Sequence, residues 1–211
     1  MYVVFGAAWL MAVIYASIPC YWFMVHPFAE FWRQRRSPLR VIVLLWALII
    51  LSLAAITWPW HSVSLYASLW ALLPALAFIA MAISVYRRMP SQFGVANFSG
   101  QAELDPQAQQ RLVTSGMHAR VRHPVYLAHL CTLLAFTVGS GLAVDYTLLA
   151  FALVTGCAMI ALEEHELERR FGDEWNEYKR RTGAIFPRIS PQGLNPESKA
   201  APLQSRFRDE I

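Results

Sequence analysis

Charge is what this chain has least of. Asp, Glu, Lys and Arg make up 15% of its 211 residues, against roughly 25% in ordinary soluble domains. Five runs hold none at all: Val3–Val25, Val41–Thr57, Leu65–Tyr86, Val125–Leu142 and Tyr146–Leu162. A soluble helix of such length needs a polar stripe, and its absence excludes an ordinary soluble domain. A bilayer core about 30 Å thick takes roughly 17–25 apolar residues per helix. The expected fold is therefore an all-α integral membrane protein with about five transmembrane helices and a cytosolic C-terminal helix.

Other absences narrow the chemistry. The cysteines, Cys20, Cys131 and Cys157, are odd in number and lie within the apolar runs, so they form no disulfide framework and read as small packing residues. No GxGxxG, GxxxxGK[ST] or GxSxG occurs, which removes the common nucleotide-binding and hydrolase signatures. His118, His123, His129 and His165 show no HxxH, HxxxH or HExxH spacing. A zinc site wants three or four convergent ligands, so no metal site is expected from this pattern, and His129 is expected to be a hydrogen-bonded interior histidine. The net charge of +4 needs no nucleic-acid partner to explain it.

Basic residues are missing from one side. Arg33, Arg35, Arg36 and Arg40 separate the first two runs, Arg87, Arg88, Arg111, Arg120 and Arg122 the third and fourth, and the remaining nine of the 18 follow the fifth. The Trp58–Ser64 link has no formal charge and the Gly139–Asp145 link only Asp145. The excess of arginine and lysine on cytoplasmic loops then predicts an outside N-terminus and a cytosolic C-terminus. The first run lacks preceding basic residues and a clear cleavage site, and reads as a retained anchor. His26–Pro38 mixes Phe28, Phe31 and Trp32 with arginines, an interfacial turn in contact with membrane lipids. Pro19 and Pro74 are expected to kink their helices. Residues 1–88 form a three-helix membrane part, 89–189 a core of loop, two-helix hairpin and cytosolic helix, and 190–211 a Pro-, Ser- and charge-rich tail.

Polar residues gather where the fourth run begins and the fifth ends. Arg122-His123-Pro124-Val125-Tyr126 opens a helix, because proline has no N–H to lose and a φ preset for the first turn. The free N–H groups and positive dipole end of that helix would suit a ligand carboxylate. Glu163-Glu164-His165-Glu166 lies at the far end of the next run, so a helical hairpin returns both clusters to one membrane face. In the long connection between Tyr86 and Arg122, Asp105-Pro106 would open a short helix through Arg111, and Leu112–Gly116 an extended piece and turn. A further helix is expected from Glu163 to about Arg181, with Leu167, Phe171, Trp175 and Tyr178 in one stripe. Within it Glu166 pairs with Arg170 and Glu177 with Arg181 at i,i+4. Glu163 and Glu164 have no local basic partner, which marks them as functional candidates.

LVTSG (Leu112–Gly116), RHPVY (Arg122–Tyr126) and EExxLxxxFGxxWxxY (Glu163–Tyr178), in that order, resemble the isoprenylcysteine carboxyl methyltransferase family and its phospholipid-methyltransferase relatives. The resemblance covers about residues 92–187. It implies an S-adenosyl-L-methionine-dependent methyltransferase acting on a lipidic or small apolar acceptor. By position, its cofactor contacts would be Gln110, Arg111, Leu112, Val113, His118, His123, Pro124, Val125, Tyr126 and Glu163. Arg122, Glu164 and Arg181 are the candidate catalytic residues. Met159 stands where prenylcysteine enzymes carry an arginine, so the substrate half of the likeness is the weaker one. A membrane sterol or enone reductase and a non-catalytic membrane scaffold are the alternatives.

Overall fold

The computed structural model describes residues 2–89, 104 and 111–188. Gln110, the short helix expected after Asp105 and the C-terminal tail lie outside the described residues. Among the described residues the chain runs through α1 (Tyr2–Val25), α2 (Ala29–Arg33), α3 (Pro38–Thr57), α4 (Leu72–Arg87), α5 (Pro124–Ser140), α6 (Ala143–Phe171) and α7 (Asp173–Arg181). Short 3-10 turns at Trp58–Trp60, Leu69–Ala71 and Gly116–Ala119 complete the described structure. Among the described residues there is no sheet, only two isolated bridges. The spans containing α1, α3, α4 and α6 are long and apolar enough to cross a membrane, whereas α5, at 17 residues, is shorter.

α1 is the hub, packing against α3, α5 and α6, while α4 lies along α5. Trp9, Ala12, Val13 and Ala16 of α1 meet Leu133, Leu142, Val144 and Leu148 of the α5–α6 hairpin. Two indole N–H groups in this bundle are satisfied across helices: Trp9 Nε1 donates to Thr57 Oγ1 at 3.0 Å and Trp46 Nε1 to Ser17 Oγ at 2.9 Å. The outward faces of α3 and α4, with Leu44, Leu48, Leu51, Leu73 and Leu76, are apolar and exposed. Helix surfaces of this kind suit hydrocarbon rather than water.

The third apolar run does not become helix throughout. Residues 63–66 are spent on the turn between α5 and α6 instead: Leu65 N donates to Gly141 O at 2.8 Å and Ala143 N to Val63 O at 2.9 Å. Tyr66 Oη also donates to Val138 O at 2.8 Å. Gly141 has φ +66°, and a Cβ there would lie 2.5 Å from Tyr66 O. Only glycine turns the chain there without a clash. Pro74 consequently sits in the first turn of α4, where a missing N–H costs nothing, and the expected mid-helix kink has no basis at that position.

The stretch after the fifth run is also divided differently. α6 continues unbroken through Glu163 to Phe171, and Gly172, at φ +52°, separates it from α7. Its 29 residues span about 43 Å at 1.5 Å each, some 13 Å more than a bilayer core. A bilayer core would not cover the whole of this helix, and its charged residues begin at Glu163 near its C-terminal end.

Candidate functional site

α5 starts and α6 emerges at the same level, and residues from three chain segments meet there. Arg122 is the hinge of the group, its side chain only 6% exposed. Its Nε and an Nη donate to Glu164 Oε1 at 2.9 and 2.7 Å. The other Nη donates to the carbonyls of Lys179, at 3.2 Å, and Thr182. Glu164 Oε2 takes the Lys179 ammonium at 3.2 Å, and the guanidinium lies 5.9 Å from the Trp175 ring centroid. The fork geometry of arginine lets one side chain join α6 to the C-terminal end of α7.

The backbone reinforces the joint. Arg122 N donates to Gly183 O at 2.8 Å and His123 N to Ala184 O at 2.9 Å, a short parallel pairing of 121–123 with 183–184. Gly183 is required, since a Cβ there would lie 1.8 Å from Phe186 O. Tyr178 Oη donates to His118 O at 2.8 Å, which fixes α7 to the 3-10 turn Gly116–Ala119. Trp175 is fully buried between them, its ring 5.6 Å from that of Tyr178.

The predicted residues divide into two groups. Arg122, His123, Glu163 and Glu164 come together: His123 Nε2 lies 3.2 Å from Glu164 Oε1 and His123 Nδ1 lies 3.6 Å from Glu163 Oε2. His118 is buried within electrostatic reach of His123 and Glu163. Pro124 is buried in the first turn of α5 with Val125 half-buried beside it. Tyr126 packs toward Tyr21, Trp22 and the buried Met159. Arg111 is exposed, and Leu112 and Val113 are half-buried in the chain leading to the 3-10 turn. Arg181 is elsewhere: it is exposed and pairs with Glu177, as does Arg180. Glu166 pairs with Arg170 at 2.5 Å and faces His26 at 3.7 Å. His129 is held by the rings of Tyr15 and Tyr86, and its Nδ1 is buried without a hydrogen bond.

Glu164 is not the unpartnered carboxylate that its local sequence indicates, because its cations come from Arg122 and Lys179, 42 positions before it and 15 after. Lys179 was not among the sequence candidates. The available signal was its position four residues after Trp175, which places it on the helix face that carries the buried tryptophan. With two arginine- or lysine-type cations on Glu164, Glu163 is the carboxylate of the group that has no such partner among the described residues. Its Oε2 is buried and accepts no hydrogen bond.

Burial pushes the His118 imidazole down to about 4, with neighbouring His123 adding to the shift and Glu163 opposing it. The unfolded chain takes up this proton from about pH 6.5 downward, whereas the folded chain resists it until about pH 4. Stability should be unaffected by this group above pH 6.5 and fall as the pH drops to 4, by about 3 kcal/mol in all. Unfolding midpoints measured across that window should fall less steeply in His118→Gln. An identical slope in the variant would show that His118 is not the buried neutral group.

Among the described residues the fold is thus all-α, with four helices suited to a membrane and an ion-paired polar group where α5 begins and the charged end of α6 runs on. No family model matches the chain, and no solved structure matches it. It is 42% identical over 82 residues to the nickel-cobalt-cadmium resistance protein NccN of Alcaligenes xylosoxydans xylosoxydans, a match covering 37% of each chain. It is 44% identical over 81 residues to the cobalt-zinc-cadmium resistance protein CzcN of Cupriavidus metallidurans, again covering 37% of each. The matched part is thus little more than a third of these relatives' length.

These relatives overturn the methyltransferase reading, since both carry the names of metal-resistance proteins. The structure supplies a physical reason why the motifs misled. Pro124 starts a helix, Arg122 and Glu164 close an ion pair, Phe171-Gly172 ends α6, Trp175 fills the joint and Tyr178 ties it to His118. These motif residues have architectural tasks that hold whatever chemistry the hairpin serves.

Proposed function

We propose that this chain is an integral membrane component of resistance to divalent transition-metal ions of the nickel, cobalt, zinc and cadmium group. The observation that carries the reading is the 42–44% identity, over about 80 residues, with two proteins named for resistance to those metals. In this reading α5 crosses together with the four longer helices, making five crossings. The basic links lie in the cytosol, so the N-terminus is outside and the Arg122–Glu164 group sits at the cytosolic boundary. Lipid covers the outward faces of α3 and α4. In the polar group Arg122 and Lys179 are both paired with Glu164.

The test is disruption of the gene in its own host, followed by growth across graded nickel, cobalt, zinc and cadmium. Tolerance to at least one of the four should fall and return when the chain is supplied again. Unchanged growth on all four would remove the assignment.

A further inference from the structure

Glu163 and His123 face each other across a gap that neither can fill. Glu164 is committed to Arg122 through one oxygen and to Lys179 through the other, so toward His123 it acts as an acceptor. The ring must then present Nε2–H to Glu164 Oε1, 3.2 Å away, and a neutral imidazole with its proton there carries its lone pair on Nδ1. That lone pair lies 3.6 Å from Glu163 Oε2, itself buried and without a hydrogen bond. In that neutral form two electron-rich atoms oppose each other, and 3.6 Å is too long for a hydrogen bond to join them.

We propose that a divalent transition-metal ion binds between His123 Nδ1 and Glu163 Oε2. Bonds of about 2.0–2.2 Å to nitrogen and oxygen, at near-tetrahedral angles, place two such donors roughly 3.3–3.6 Å apart. Glu164 then has the role that carboxylates take behind metal-binding histidines: it accepts from the far ring nitrogen, fixes the tautomer and makes the near nitrogen a better donor. Imidazole with carboxylate suits ions of the cobalt, nickel and zinc type, whereas all-oxygen sets suit magnesium and calcium. Among the described residues no three His, Cys, Asp or Glu side chains form a metal-binding group. The pair therefore leaves the other coordination positions to water, as befits an ion taken up and released rather than one locked in a closed structural site. The donor pair is given by the geometry, while the choice of metals rests on the resistance reading.

Cobalt(II) titrated into the detergent-purified full chain, freed of any purification tag, tests this through its visible absorption. Saturable binding is expected, displaced by zinc and not by a large excess of magnesium. Glu163→Gln, which keeps the side-chain volume, and His123→Ala should each weaken it at least tenfold, while Glu177→Gln on the exposed face of α7 should not. Absence of binding by folded protein, displacement by magnesium, or equal binding in Glu163→Gln would overturn the site. The growth experiment fails separately: cobalt binding with no loss of tolerance on gene disruption keeps the site and removes the resistance role, and the reverse pair of results does the opposite.

Discussion

Arg122→Ala should lower stability by about 3–5 kcal/mol, the range seen when one partner of a buried ion pair is removed. The loss has three sources. Glu164 keeps only the half-exposed Lys179 as a cation, the carbonyls of Lys179 and Thr182 lose their shared donor, and the guanidinium leaves the Trp175 ring. Arg122→Lys should recover only part of this, because one ammonium cannot reach a carboxylate and two carbonyls in the arrangement of a planar fork. Thermal unfolding in detergent, read by the tryptophan signal, measures the difference. Equal midpoints for wild type and Arg122→Lys would show that only the charge matters.

Trp175→Ala should cost a similar amount, about 3–5 kcal/mol, as expected for emptying the place of a large buried aromatic ring. Trp175 is 1% exposed and lies between Tyr178 and Arg122. Its Nε1 is buried without a hydrogen-bond partner, so the ring contributes by volume and contact rather than by a bond. Trp175→Phe, which discards that unpaired N–H and keeps most of the packing, should therefore cost under about 1.5 kcal/mol. Denaturant unfolding of the three proteins in the same micelle gives the comparison. A Phe variant as unstable as the Ala variant would mean that the indole nitrogen carries the stabilisation.

These effects concern contacts that the sequence shows only in part. The apolar runs declare themselves through the absence of charge, and the helices fall on them because hydrophobic length is a local property. The hairpin that returns Glu164 to Arg122 is likewise legible from two adjacent runs of similar length. What local reading misses is where backbone bonds are spent on distant partners. Residues 63–66 are as apolar as the helix after them, yet they serve the turn at Gly141 instead of extending α4. Gly172 is a visible signal of helix ending, but the stripe from Leu167 to Tyr178 runs across it, so periodicity alone joins two helices.

The site was legible as a cluster and misread as chemistry. Placing His123, Glu163 and Glu164 together needs only helix lengths. Deciding which glutamate keeps a free oxygen needs the location of Lys179, on a helix whose approach is set by Trp175 and Tyr178. The motif likeness pointed to methyl transfer because the same residues that shape the joint also recur in that family. Relatives named for metal resistance redirect the reading, and the proposed site between His123 and Glu163 is where it can be tested.

The most direct measurement of the central claim is metal tolerance in a host lacking its own copy and supplied with wild type, Glu163→Gln, His123→Ala or Glu177→Gln at matched membrane levels. The account predicts that the first two variants leave the host close to the level without the chain on cobalt or nickel, while Glu177→Gln protects like wild type. Full protection by Glu163→Gln and His123→Ala would contradict it.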